Sequence, residues 1–432
     1  MRILAVAFLS VTIGSAGPAS AEKADAVVAS RCAPLYPKDW QPVLGQDKQR
    51  PGRTAKPARG KPFIDPLFKT CVVRATDHAA DEVTGFARTD YSRRQSFNAD
   101  STKFIVGSKD GSWHHYDART LKYGGQLPGV GSDAEVQWHP TNPNILYHLP
   151  PFGIGMQILE LNIANGKSRV VADLSARIKA VWPKAASAWT RAEGSPSADF
   201  RYWTLMVDDK DWHGLGILTY DLSTDSIIAA YDFAKNKKGR PDHVSTSPSG
   251  AYAVCSWEDG TYAFTRDFSK AVKLHTRSEH SDLALDTNGD DVYVSIDYEA
   301  SGGYVFTTNI RTGVRTLLFP TYLERTATAL HVSGKAFLKP GWVLLSTYKE
   351  VGGPWQWLHG KVFAVELKPN PRIVNIAHHH VAYNEYFTEP HASVNREFTR
   401  IVFNSNWDNN SKTDVDTFMV ELPLKALPPP RR

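Results

Sequence analysis

The chain has 432 residues, of which 42% are hydrophobic and 11% aromatic, and its formal net charge is only +5. This balance argues against a nucleic-acid partner, which requires a strongly basic surface. Beyond the N-terminus, no stretch approaches the roughly 18 consecutive apolar residues of a membrane-spanning helix, so no membrane span is expected. Only three cysteines are present, which excludes a disulfide-rich scaffold. We expect a monomer.

Residues 1–21 have the features of a secretory signal peptide. Arg2 precedes an apolar run, and Ala19-Ser20-Ala21 then supplies the small-residue pattern of a cleavage site. We therefore predict cleavage after Ala21 and export of the mature protein to the periplasm or the extracellular space.

Residues 22–61 are rich in Pro, Lys, Arg and Gly and show no periodicity, which predicts an irregular basic arm. Export permits a disulfide, and a bridge between Cys32 and Cys71 would pin this arm to the first strand. The sequence leaves open whether the two cysteines pair. Cys255 lies in the alternating segment AVCSW, which is typical of a buried free thiol.

A phrase made of an apolar run, a small or polar turn and a second apolar run recurs seven times along the chain. The average pitch is roughly fifty residues, the length of one four-stranded propeller blade. The sequence therefore predicts an all-β, seven-bladed β-propeller over residues 62–424, followed by a Pro-rich tail over residues 425–432. Helical periodicity is nearly absent, and residues 175–186 are the one candidate for a short helix.

The apolar stretch of residues 68–73 precedes the first repeated phrase and has no strand partners of its own. A propeller leaves no unpaired edge when such a strand completes the last blade. We therefore predict that this N-terminal strand closes the ring as the outer strand of the last blade.

One position before the turn carries a charged or imidazole side chain in every phrase. The residues at this position are Arg94, Glu135, Glu193, His243, His280, His331 and His391. Because the first strand of each blade lines the central channel, we expect these side chains to form a ring around the axis.

The ring contains histidines in four consecutive phrases: His243, His280, His331 and His391. Neutral imidazole is the commonest metal ligand, and several imidazoles around one axis satisfy a divalent cation while leaving a position open for substrate. The ring glutamates would add an oxygen ligand or orient an imidazole. The alternative interpretation is that these side chains bind only channel water and backbone groups of neighbouring blades.

Other polar residues accompany the ring. Two arginines are candidates to bind a substrate carboxylate in bidentate fashion: Arg94 in the ring, and Arg240, three residues before His243. The alternative is that they neutralise the ring glutamates. Tyr386 and Glu389 lie on the approach to the last ring histidine, so we expect them near the channel mouth, where a tyrosine can act as acid or base beside a cation. Residues 378–380 are three histidines expected on a surface loop.

The segments HVSTSPSGAYAV and EPHASVNREFTRIVFNSNW resemble the inner-strand repeats of TolB-like, WD40-like exported β-propellers. A narrower resemblance is to propeller polysaccharide lyases of the oligogalacturonate lyase type, in which histidines hold a divalent metal at the channel. That resemblance implies His280, His331 and His391 as ligands of a divalent metal such as Mn, Ca or Zn. His243 would be a fourth ligand or the base. The glutamine ligand of that family is not found in this sequence, and Glu389 is the nearest candidate to take its place.

The same resemblance implies a lyase that acts on an acidic polysaccharide or oligosaccharide by β-elimination beside a uronate carboxylate. A metal and an arginine would stabilise the enolate-like charge, and Tyr386, His243 and Lys335 are the candidate bases. The alternative function is that of a non-catalytic propeller that binds a protein or glycan partner on its face. Coordination of a metal by the ring histidines would favour the enzyme.

Overall fold

The computed structural model describes residues 31–431, and the predicted signal peptide, residues 1–21, lies outside the described residues. Seven β-sheets follow one another along this part of the chain and form a seven-bladed β-propeller, which confirms the predicted fold class. The two α-helices of residues 31–431 are α1 (Ser175–Val181) and α2 (Phe233–Asn236). Neither these helices nor the 3-10 turns in the same range are long and apolar enough to cross a membrane. The 3-10 turns cover Ala33–Leu35, Pro151–Gly153, Tyr386–Thr388 and Leu424–Ala426.

The strands follow in chain order. Those before the first blade are β1 (Phe63–Ile64), β2 (Cys71–Arg74) and β3 (Phe86–Ala87). Blade 1 contains β4 (Lys103–Gly107), β5 (Trp113–Asp117) and β6 (Tyr123–Gln126). Blade 2 contains β7 (Gln137–Trp138), β8 (Ile145–His148), β9 (Gln157–Asn162) and β10 (Lys167–Asp173). Blade 3 contains β11 (Ala185–Trp189), β12 (Tyr202–Asp209), β13 (Gly214–Asp221) and β14 (Ser226–Asp232).

The second half of the propeller continues in the same way. Blade 4 contains β15 (His243–Thr246), β16 (Tyr252–Trp257), β17 (Gly260–Thr265) and β18 (Ala271–His275). Blade 5 contains β19 (Ser281–Leu285), β20 (Asp291–Asp297), β21 (Tyr304–Asn309) and β22 (Arg315–Pro320). Blade 6 contains β23 (Tyr322–Leu323), β24 (Thr326–Ser333), β25 (Trp342–Val351), β26 (Lys361–Glu366) and β27 (Ile373–His378). Blade 7 contains β28 (Ser393–Val394), β29 (Arg400–Ser405) and β30 (Val415–Glu421).

The ring is closed by pairing between the two ends of the chain. Blade 7 has the strand order β1-β2-β30-β29-β28, and β2 runs antiparallel to β30 with Cys71 opposite Glu421 and Arg74 opposite Phe418. The predicted closure by an N-terminal strand is therefore confirmed. Blade 1 departs from the repeat, because its innermost strand is reduced to two isolated bridges to β4, Phe97 with Phe104 and Arg88 with Gly107.

The core lies between adjacent blades. Every residue of β20, β29 and β30 is buried, because both faces of an inner or middle strand are covered by neighbouring sheets. Such strands are rich in β-branched and aromatic residues, which fit a pleated surface that is buried on both sides. Trp138, Trp203 and Trp342 are among the largest fully buried side chains.

The helix predicted over residues 175–186 is shorter in the structure. Helix α1 ends at Val181, and Trp182 has extended backbone angles (φ −128°, ψ 94°). Trp182 precedes Pro183, whose ring disfavours helical backbone in the residue before it. The chain then enters β11, the inner strand of blade 3.

The described part of the basic arm lies against blades 6, 7 and 1, and its contacts with blade 1 are those of Arg31 with Arg119 and of Arg59 with Leu121. The indole of Trp355 donates to the backbone oxygen of Gln49 at 3.1 Å, and Lys56 lies 3.0 Å from the Asp416 carboxylate. A disulfide joins Cys32 to Cys71 in β2, with a Cα–Cα distance of 5.6 Å. The arm is thus tied covalently to the strand that closes the ring. Cys255 is free and buried.

Replacing Cys32 and Cys71 together by serine is expected to lower the free energy of unfolding by about 4 kcal/mol. The bridge closes a loop with a sequence separation of 39, and cross-linking such a loop removes chain entropy from the unfolded state. Urea denaturation of both proteins measures the difference. Alkylation of the unreduced, unfolded wild type should label one thiol, that of Cys255, and labelling of three thiols would contradict the bridge.

Candidate metal centre

Three of the ring histidines lie at or just before the start of their inner strand, and His331 lies within β24, which extends further in the N-terminal direction. His243 opens β15 opposite Ser256, and His280 directly precedes β19. His331 lies in β24 opposite Ser346, and His391 comes just before β28. Because each second strand runs antiparallel to its inner strand, the turns between second and third strands reach the same face as these histidines.

Three of the predicted ligands meet in one cluster, which we call the metal-site triad: His331, Glu389 and His391. The Nε2 atoms of His331 and His391 each lie 3.2 Å from Oε2 of Glu389. The two imidazole centroids are 4.4 Å apart, and all three side chains are buried. Blade 6 and the approach to blade 7 thus bring two imidazoles onto one carboxylate.

The environment of the triad favours neutral imidazoles. Burial lowers the pKa of His331 to about 3 and that of His391 well below its ordinary value, with neighbouring cationic groups adding to the effect. Burial also raises the pKa of Glu389 to about 7, against the attraction of Arg88. A neutral imidazole offers a lone pair, which is the form that a metal binds.

The triad leaves buried donor atoms unsatisfied. Both ring nitrogens of His331 and Nε2 of His391 are buried, and within the described part of the chain none of them makes a hydrogen bond of good geometry, although each Nε2 lies 3.2 Å from the Glu389 carboxylate. Buried polar atoms without partners are rare and point to an ion or another bound group. Two imidazole nitrogens and a carboxylate oxygen form a donor set that fits a divalent cation with positions left open.

His280 adjoins the triad without entering it. Its ring centroid lies 4.6 Å from that of His331, and its imidazole is hydrogen bonded to the backbone of Leu330. Burial lowers the pKa of His280 to about 3, so this ring is also neutral. A hydrogen bond of this kind fixes the ring orientation and tautomer, as groups behind a metal ligand do.

Arg88 contacts the triad from the opposite side. Its Nη1 lies 2.9 Å from Nδ1 of His391, and the same atom also approaches the backbone oxygens of Thr89 and Asp90. While Arg88 donates to Nδ1, the proton of a neutral His391 sits on Nε2. Coordination of a cation through Nε2 requires this proton to move to Nδ1. Arg88 would then lose its hydrogen bond to Nδ1 and keep those to the backbone oxygens of Thr89 and Asp90.

His243 lies in a second group, separated from the triad by Arg93. Nη1 of Arg93 lies 2.6 Å from Nε2 of His243 and 2.8 Å from Oε2 of Glu193. Nδ1 of His243 faces the Asp242 carboxylate at 3.3 Å. The expected single ring is thus resolved into two neighbouring clusters, and the histidine of blade 4 has an arginine as its partner.

Tyr91 and Arg93 were missed by the sequence analysis. The Tyr91 ring centroid lies 4.9 Å from His391 and 5.5 Å from His331, and the Arg93 guanidinium lies 5.4 Å from the centre of the Tyr91 ring. Both residues belong to the segment TDYSRR, where blade 1 lacks a regular inner strand. Its run of charged and aromatic residues directly before the first phrase was the available signal.

The two predicted carboxylate-binding arginines have acidic partners within the protein. Arg94 donates to Asp90 at 3.0 Å and to the backbone oxygen of Ala192 at 2.9 Å. Arg240 forms two hydrogen bonds with Asp208, at 2.8 and 3.0 Å, in blade 3. Arg94 lies beside the centre and Arg240 does not join it, so a substrate role for either residue stays a prediction.

Glu135, a predicted ring residue, and Lys335, a predicted candidate base, are bonded to neighbouring parts of the scaffold. The Glu135 carboxylate accepts hydrogen bonds from the backbone of Thr190 at 2.9 Å and of Ala192 at 2.6 Å, which fixes the segment that follows β11. Lys335 is buried and bonded to Asp282 at 2.9 Å. Burial lowers the pKa of Lys335, against the attraction of this carboxylate.

The three adjacent histidines of residues 378–380 do not lie in the metal-site triad. His378 faces Asp65 at 3.3 Å and His380 faces Asp408 at 3.1 Å. All three side chains are buried against the described part of the arm and blade 7 rather than exposed in a loop. Their contacts hold neighbouring segments together.

A cavity of about 240 Å³ opens beside the triad. Its wall includes Arg88, Tyr91, Arg94, Glu193 and Tyr386. The Tyr386 ring centroid lies 4.9 Å from that of His391, and burial raises the pKa of Tyr386 to about 12. The triad side chains do not themselves line this cavity, but Arg88, Tyr91 and Tyr386 both line it and contact His391.

No protein-family model and no curated protein sequence matches the chain. Among solved structures, oligogalacturonate lyase from Vibrio parahaemolyticus matches with a TM-score of 0.61 and 12% identity, over 84% of this chain and 96% of that one. An oligogalacturonate lyase in complex with manganese matches with a TM-score of 0.59 and 15% identity, over 89% of this chain and 98% of that one. At this identity the likeness shows the fold, and it confirms the propeller architecture shared with these proteins.

Proposed function

We propose that this protein is an exported, metal-assisted lyase that cleaves uronate-containing glycans by β-elimination. The observation that carries the proposal is the metal-site triad, in which two buried imidazoles that lack well-formed hydrogen bonds lie against one buried carboxylate, next to an open cavity whose wall contacts His391. The solved structure that holds manganese has the same fold. The disulfide between Cys32 and Cys71 suits an oxidising compartment and so supports export.

The triad residues would bind the cation and leave positions free for substrate. A divalent cation held by His331, Glu389 and His391 would act as a Lewis acid on a uronate carboxylate, which makes the adjacent carbon–hydrogen bond more acidic. Arg93 would bind the same carboxylate, because a substrate anion competes with Glu193 for its guanidinium. Both positive groups stabilise charge that develops on the carboxylate during proton removal.

His243 is the residue best placed to take the proton. Its Nδ1 faces Asp242, and its Nε2 is held by Arg93. When Arg93 turns to a substrate carboxylate, the Nε2 lone pair becomes free to accept the proton from the adjacent carbon. The electrons of that bond form the carbon–carbon double bond as the glycosidic carbon–oxygen bond breaks. Tyr386, at the cavity wall, would donate a proton to the departing oxygen.

The metal site is tested by titrating metal-free protein with Mn²⁺, Ca²⁺ and Zn²⁺ in a calorimeter. The wild type is expected to bind one equivalent of at least one of these ions. His331→Ala and Glu389→Ala should weaken binding at least about tenfold, because even residues behind a ligand contribute this much. His115→Ala, which removes a histidine of β5 in blade 1, is the control and should leave the titration unchanged. Equal affinity in all four proteins would contradict the site.

The reaction is tested by incubating the metal-loaded protein with polymers of galacturonate, glucuronate and mannuronate. Ultraviolet absorbance of an unsaturated uronate product is expected with at least one polymer. His243→Gln and Tyr386→Phe should each lower kcat by about 100-fold or more, the usual contribution of a general acid or base. Metal affinity should be retained in both variants. A metal-loaded wild type that forms no unsaturated product from any polymer would leave the non-catalytic binding propeller as the better description.

A further inference from the structure

Three aromatic side chains form a cluster on the same face of the propeller as the metal-site triad. Phe152 lies in the loop after β8, Trp189 ends β11, and Trp212 lies in the turn between β12 and β13. Their ring centroids are 5.6–5.9 Å apart in all three pairs. We call this cluster the aromatic platform.

Two of the three rings of the platform are exposed to solvent, and the third is buried and hydrogen bonded to the protein. Phe152 and Trp212 are 38% and 41% exposed, whereas Trp189 between them is 6% exposed. The Trp189 indole donates to Asp208 at 2.7 Å, and the Arg240 guanidinium lies 5.7 Å from the centre of its ring. A rigid aromatic surface left open to solvent is an unusual feature of a monomeric protein, and such patches commonly bind ligands.

The backbone presents both exposed rings in a conformation that bulky residues disfavour. Phe152 has φ 59° and Trp212 has φ 64°, in the left-handed region. Gly153 is needed beside Phe152, because a Cβ there would meet the backbone oxygen of Ala188 at 2.3 Å. The turn that carries Trp212 is held by Asp209, whose carboxylate accepts the backbone N–H of His213 at 2.9 Å. Local strain of this kind persists where the surrounding structure enforces it, often at ligand sites.

The platform adjoins residues that line the cavity of the candidate site. The backbone N–H of Phe152 donates to the oxygen of Asp133, and Asp133 lines that cavity. Trp189 is followed within three residues by Arg191 and Ala192, which line the same cavity. A chain-like ligand that leaves the cavity in this direction therefore passes an arginine and then reaches the aromatic rings.

We propose that the aromatic platform binds a second sugar ring of the acidic oligosaccharide that occupies the cavity; this inference rests on the proposed function. The flat faces of pyranose rings carry C–H groups that pack on aromatic faces, and Trp offers a large contact area at little cost in side-chain entropy. Arg191 lines the cavity and is paired with Asp242 at 3.2 Å, so a uronate would compete with that carboxylate for its guanidinium. Binding energy gained at such a distance from the reacting bond helps to position the substrate.

The test is a calorimetric titration with galacturonate and mannuronate oligomers, from the disaccharide to the hexasaccharide. For the wild type, affinity is expected to rise once the oligomer is long enough to reach the platform. Trp212→Ala should weaken binding of the long oligomers by about tenfold, as loss of a central aromatic contact does, and leave the shortest oligomers unaffected. Trp212→Phe should retain the gain with length, and Trp212→Leu, which is apolar without an aromatic face, should lose it.

Leu338→Ala is the matched control, because Leu338 is 67% exposed in the loop between β24 and β25 on the opposite face. The affinity of the Leu338→Ala protein for the oligomers should increase with oligomer length as in the wild type. The same increase in Trp212→Ala, or no binding of any oligomer, would overturn the inference. Sedimentation that shows a dimer dispersed by Trp212→Ala would also overturn it, because a second copy would then cover the platform.

The two proposals fail separately. Titration of the His331→Ala protein with the same oligomers measures their binding to the platform when the metal site is disrupted. Formation of unsaturated product by the wild type measures the reaction. Product formation with no dependence on Trp212 would overturn the platform alone. A length-dependent contribution of Trp212 without any product would support the platform and overturn the lyase.

Discussion

The antiparallel pairing of β2 with β30 is the interaction on which the remaining geometry depends. Each blade of a propeller packs only against its two neighbours. The ring therefore keeps its diameter only when the last blade is complete and packs against the first. The metal-site triad draws His331 from blade 6 and Glu389 and His391 from the approach to blade 7. Its 3.2 Å distances therefore exist because both chain ends are held in one sheet.

The centre gathers buried polar groups that a purely structural channel would not need. Desolvation keeps the imidazoles neutral, while the Arg93 charge is balanced by the Glu193 carboxylate. Burying charged and polar groups costs free energy unless each finds a partner, and part of the triad lacks a hydrogen bond of good geometry. Each such group lowers the stability of the fold.

The repeated phrase was sufficient to predict the blades, because every blade buries its strands between neighbouring blades and therefore repeats the same spacing of apolar residues and turns. The triad could be approached in this way too, since His331 and His391 hold equivalent positions in successive repeats. Arg88, Tyr91 and Arg93 could not, because their segment replaces a regular strand and no period constrains it. The partner of Arg240 was equally out of reach, since proximity to His243 along the chain does not determine where a long side chain turns.

The closing strand also governs the order in which the molecule can be completed. Val72 in β2 pairs on one side with Phe63 in the two-residue strand β1 and on the other with Val420 in β30, so the second of these edges stays unpaired until nearly the whole chain is available. Contacts between such distant segments form slowly and leave sheet edges open in the interim. As the chain is made from its N-terminus, this edge of β2 stays unpaired, and assembly finishes only after the final blade is available. Helpers that shield exposed β-edges would therefore matter more for this protein than for one whose ends fold locally.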